Sequence, residues 1–140
     1  MLKLCGILAL LAACLPSNAA QIAIIDSGST NVPGMTMKLE RSGRAAMVER
    51  KDGSKQRVKL LKETCNRLLE DLKQAGPLKD LPASHCMKSA SFGKSVFVEY
   101  KGVRSPDLSC PQTDPRAAAL KKDVEELLGA VKGPNTLRHY

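Results

Sequence analysis

Two cysteines, Cys86 and Cys110, bracket the strongest strand signal in the chain, and whether they join limits every architecture open to it. Between them Ser95-Val96-Phe97-Val98-Glu99-Tyr100 is rich in β-branched and aromatic residues. Lys101-Gly102 follows as a turn signal, with Val103-Arg104-Ser105 able to return as a second strand. In an oxidising compartment the two sulfurs are expected to pair. Closing such a loop stabilises the folded state by roughly 3.5 kcal/mol on the chain-entropy estimate, a large share of what a small domain has.

The start of the chain bears on that compartment. Residues 1–19 read as a signal peptide: Lys3 gives the positive start, Leu4 to Leu15 the short apolar core, and Pro16-Ser17-Asn18-Ala19 a small-residue exit, with cleavage after Ala19 or Ala20. The apolar run is shorter than the ~20 residues a membrane-spanning helix takes. Leu11-Ala12-Ala13-Cys14 also matches the lipoprotein box, in which the cysteine is lipidated and becomes the mature N-terminus. Both readings imply export to the periplasm or beyond. The second makes the product a lipid-anchored envelope protein, and membrane association is expected only in that case.

After ordinary cleavage Cys65, Cys86 and Cys110 remain. Cys65 lies on the apolar stripe of a predicted helix, where a free thiol behaves as a small hydrophobe, so Cys86 with Cys110 is the expected bridge. A metal site from Cys65, His85, Cys86 and Cys110 would lack the paired short spacings of zinc sites, and no cofactor or metal is expected. The formal charge of +8 falls to +7 with loss of Lys3, an excess that attracts acidic partners or anionic membrane surfaces. The basic residues are nevertheless spread along the sequence and rings are few, two Phe, two Tyr and no Trp, so nucleic-acid binding is not expected.

The remaining elements follow from periodicity and punctuation. Residues 20–34 are a flexible N-terminal arm or a short strand, Ile22-Ala23-Ile24-Ile25 running into a polar, glycine-rich stretch. Residues 35–133 form a single domain, and 134–140 a frayed tail. Met35, Met37 and Leu39 alternate with polar residues, Ser42-Gly43 is a turn signal, and Ala45 to Arg50 completes a hairpin with one wet side. Lys51-Asp52-Gly53-Ser54 is a second turn before a short strand from Gln56 to Leu60. Leu61, Cys65, Leu68, Leu69 and Leu72 then keep helical spacing up to Gly76-Pro77, with Glu63 and Arg67 placed as an (i, i+4) pair. Asp114-Pro115 opens a last helix whose stripe is Ala117, Leu120, Val124, Leu127, Leu128 and Val131. The expected fold is α+β: an antiparallel sheet of four or five strands, two amphipathic helices packed on one face, and one disulfide.

Three motifs invite chemistry. Ile24-Ile25-Asp26-Ser27-Gly28-Ser29-Thr30 resembles the active-site signature of aspartic proteases, in which two facing carboxylates share a proton. A single copy implies a homodimer using Asp26, yet the motif lies so near the mature N-terminus that the strands normally preceding it have no room. A polar turn after a strand is the plainer reading. Phe92-Gly93-Lys94-Ser95 mimics a phosphate loop, but Lys88 stands where its first glycine belongs and a strand follows instead of a helix. His85 beside Cys86 suggests a thiol nucleophile, which a disulfide would consume. What is left is the loop Ser84 to Ser95 with Met87 and Phe92. Such side chains ordinarily fill the edge of a core; exposed, they form a binding loop for a protein partner.

The order hairpin, helix, Leu81-Pro82, hairpin, helix, with Arg41-Ser42-Gly43 at the first turn, resembles the emfourin family of inhibitors of thermolysin-type metalloproteases. Arg44 departs from that family, which tends to have a second glycine there. Gly28-Ser29-Thr30-Asn31 is similar to a stretch found soon after the signal in exported bacterial proteins. The resemblance implies a small α+β fold and protein binding of an inhibitory kind, and carries over no inhibitory residues. The expected function is thus that of an exported, monomeric, non-enzymatic binding domain. A hydrolase using Asp26 and an envelope lipoprotein anchored through Cys14 are the alternatives.

Overall fold

A computed structural model describes residues 21–131; the expected signal, Cys14 and the tail 134–140 lie outside the described residues. The architecture is α+β, a single antiparallel sheet of six strands with two helices and one disulfide. The strands are β1 (Ile22–Gly28), β2 (Pro33–Leu39), β3 (Ala45–Arg50), β4 (Lys55–Lys59), β5 (Val96–Tyr100) and β6 (Val103–Arg104). Their spatial order is β4-β3-β2-β1-β5-β6.

The count exceeds the expected four or five for two reasons. The stretch left open as arm or strand is a full seven-residue strand in the middle of the sheet, paired with β2 on one side and β5 on the other. At the far edge β6 contributes only two residues. β2 begins at Pro33, inside the same sheet as β1.

Register explains which residues are buried. Ile24 stands opposite Met37 and Val98, and Met37 opposite Val48, so these side chains share one face as period-two alternation requires. They pack with Leu68 and Leu72 of α1 (Lys62–Ala75) and with Leu120, Val124 and Leu127 of α2 (Pro115–Val131). Both helices thus cover that face. The opposite face carries Ile25, Thr36, Met47 and Phe97 among charged residues, with the Arg104 guanidinium over the Phe97 ring.

The helix ends follow the expected chemistry. Gly76 takes a positive φ and donates back to Lys73, closing α1. At the start of α2 the Arg116 N–H donates to Asp114 Oδ1 at 2.8 Å, and Arg116 holds that carboxyl down at about 2. Cys65 is free and buried, and burial pushes its thiol up. Among the described residues no helix is long and apolar enough to cross a membrane.

Candidate functional site

The segment 84–95 has no regular structure of its own, so its shape depends on what fastens it. Cys86 is bridged to Cys110, which is buried. Lys88 Nζ donates to Ser95 Oγ at 3.0 Å and to the Asp107 carboxylate. Lys94 Nζ donates to Asp26 Oδ2 at 3.0 Å. At the end of the loop the Ser95 N–H donates to Ser27 Oγ at 2.8 Å, while the Ser27 N–H donates to the Ser95 carbonyl. A Cβ on Gly93 would lie 2.4 Å from the Ser89 carbonyl oxygen, so the tight turn there excludes any larger residue.

Asp107 is the hub of these contacts. Its Oδ1 accepts from the backbone N–H groups of Val96 at 3.0 Å and Ser109 at 2.9 Å, while Oδ2 takes Lys88. Burial pushes its carboxyl up, but the hydrogen bonds from Lys88, Ser109 and Val96 outweigh it and hold the group well below the usual carboxylate range. A depressed folded-state pKa contributes stability above the unfolded value near ~3.9, which is lost as pH falls below it. Asp107→Asn is therefore expected to cost about 1–3 kcal/mol at neutral pH and to speed amide exchange in residues 86–95, with the penalty shrinking in strong acid. Equal exchange in that loop for both proteins, measured by mass spectrometry, would remove Asp107 from this role.

Held in this way, the loop presents rather than buries its large apolar groups. Met87 is 100% exposed and Phe92 68% exposed, where core-edge filling is the ordinary expectation. Between the loop and α2 lies a hollow of about 430 Å³ whose apolar wall is Val96, Leu108, Val124 and Leu128, with Lys121 at its rim. Lys121 donates to Glu125 and to the Ser109 carbonyl, so its charge is engaged.

Asp26 is not at the mouth of that hollow. It is 4% exposed, on the helix-facing side of β1, with Oδ1 accepting from the Gly28 N–H at 2.9 Å and Oδ2 paired with Lys94. Gly28 has a positive φ and its backbone passes so close to Gly34 that a Cβ would lie 2.3 Å from the Gly34 nitrogen. The Asp-Ser-Gly-Ser run thus makes the end of a strand, a tight turn, and an anchor for the loop at Lys94. His85 is exposed beside the bridged Cys86.

No family model, curated protein or solved structure matches the chain.

The sequence reading brought together Cys86, Met87, Phe92 and Cys110, and the structure places all four on one loop and its anchor. It missed Asp107 and Lys94. A signal for Asp107 was present in Pro106-Asp107-Leu108-Ser109, because an aspartate two residues before an N–H makes the Asx turn seen here. For Lys94 no sequence signal existed, since its partner lies 68 residues away.

Proposed function

We propose that the protein is an exported, non-enzymatic domain that binds another protein through loop 84–95. The exposure of Met87 and Phe92 on a fastened loop carries this reading. Large apolar side chains that face water on a pre-ordered segment lose little entropy on association, which is what a contact surface needs. The disulfide supports export, since such bridges persist in oxidising compartments. Burial of Asp26 and its pairing with Lys94 favour binding over hydrolysis. The resemblance to emfourin makes a thermolysin-type metalloprotease the first partner to test.

Titration of thermolysin with the protein, read as loss of peptide hydrolysis, is the direct experiment. Stoichiometric inhibition is expected, weakened by roughly 30-fold or more in the Met87→Ser, Phe92→Ser double variant. Because both side chains are in solvent, the double variant should keep its Tm within about 2 °C. Absence of inhibition removes the protease-directed form. A photo-crosslinker at position 92 that captures no protein in producing cells would then overturn the binding reading itself. Peptide cleavage by the protein alone, abolished by Asp26→Asn, would establish the hydrolase instead.

A further inference from the structure

Basic residues that are scattered in sequence meet at the end of the sheet opposite loop 84–95. The β1–β2 turn and the start of β5 lie at the loop end, since Gly28 pairs with Pro33 and Asp26 with Val96. The β2–β3 turn, the last residue of β4 and the first of α1 lie at the other, where the Leu60 N–H donates to the Arg44 carbonyl. There Arg44, Lys59, Leu61 and Lys62 line one hollow of about 460 Å³, and Lys62 is shared with a second of about 880 Å³ that also holds Lys38 and Arg41.

Charge at this end is only partly compensated, Lys73 pairing with Glu70 just outside the hollows. Glu40 alone among carboxylates lines the two hollows, and it is taken by Arg57 in a two-pronged contact at 2.6 and 2.9 Å. Among the described residues no carboxylate pairs with Lys38, Arg44, Lys59 or Lys62. Residues 21–131 hold 19 Lys and Arg against 14 Asp and Glu. Seven of those cations line the two hollows; setting Glu40 and Glu70, the partner of Lys73, beside them leaves 12 cations against 12 acids for the rest. The net positive charge of the described chain therefore resides here. Leu61, which lines the smaller hollow beside Lys59 and Lys62, is 68% exposed.

We propose that this end docks on an anionic lipid bilayer, its lysines and arginines against headgroup phosphates and Leu61 between them. The cations come from β2, the β2–β3 turn, β4 and α1 and do not converge on one point. A plane carrying many phosphates meets them all at once, and a lone apolar side chain amid cations suits an interface of phosphates over hydrocarbon. With the remainder close to neutral, the electrostatic field sets a single orientation. Loop 84–95 then points away from the surface, free for a partner.

Co-sedimentation of the full chain with phosphatidylcholine vesicles, with and without phosphatidylglycerol, tests this. Binding is expected only when phosphatidylglycerol is present and should fall at high salt. Each cation near such a surface is worth a factor of roughly five, so Arg44→Glu, Lys59→Glu, Lys62→Glu should weaken partitioning by roughly 100-fold or more. Leu61→Ser should weaken it by a smaller factor. All four positions are exposed, so an unchanged circular dichroism spectrum and Tm show that the variants fold. Equal binding to neutral vesicles, or anionic binding that the triple variant keeps, overturns the proposal. Capture of polyglutamate without vesicle binding would overturn it in favour of an acidic polypeptide.

Discussion

Cys86→Ser is expected to lower stability by roughly 3.5 kcal/mol and the Tm by some 10–15 °C, approximately, for a chain of this size. The sulfurs are 24 residues apart in sequence, and their bridge removes the loop-closure entropy of that segment from the unfolded chain. Serine at 86 is exposed and leaves Cys110 in place, so the loss reports the cross-link and not a cavity. A reductant should reproduce the shift in the parent protein and do nothing to the variant. Alkylation before reduction should spare both bridged cysteines, with Cys65 slow because it is buried and its thiol pushed up. Equal melting with and without reductant would show that the loop is held by its polar contacts alone.

The second large effect lies between the helices. Asp123 of α2 is 1% exposed, and its Oδ1 accepts from Arg67 Nε of α1 at 2.6 Å. Arg67 also reaches Glu126, which accepts from Thr64 as well. Arg67→Met would strip a buried carboxylate of its cation, a change that costs about 3–5 kcal/mol when both partners are enclosed. Arg67 is partly in water, so about 2–3 kcal/mol is expected, read as a fall in the urea midpoint. No shift of that midpoint would mean that water already screens Asp123.

Asp71, on the same helix, gives this cluster a pH signature. Burial and the neighbouring carboxyl of Asp123 push its carboxyl up. A raised folded-state pKa means stability that is present below the unfolded value near ~3.9 and lost as pH climbs through the folded one. Asp71→Asn removes the repulsion and offers an N–H toward Asp123 Oδ2, which has no hydrogen-bond partner among the described residues. It should stabilise the protein by roughly 0.5–1 kcal/mol at neutral pH, after discounting for exposure, and by little near pH 3. Denaturation at the two pH values separates this from a pH-independent change in helix propensity.

Local signals made much of the fold legible. Cys65, Leu68 and Leu72 marked α1 and Gly76 its end, while Asp114-Pro115 marked the start of α2; Leu61, which shares their spacing, caps α1 from outside and faces solvent. These depend on contacts within a few residues, which sequence spacing reports directly. Long-range choices were not legible. Ile22 to Ile25 looks the same whether it lies loose or between two strands, and its central place is decided by β5, some 75 residues on. Arg67 had a proper local partner in Glu63, yet a buried carboxylate on the other helix takes it. Met87 and Phe92 were recognisable as unusual in a polar loop. Their direction depends on Asp107 and Asp26, whose grip on Lys88 and Lys94 no spacing rule displays.

That β1 sits between β2 and β5 also dictates an order of events during biosynthesis. The first strand to emerge can pair with β2 at once, but its other edge stays bare until residues 96–100 arrive. Residues 96–100 must therefore be delivered before the sheet can close, which makes completion of the β1–β5 seam the late, topology-limited step of folding.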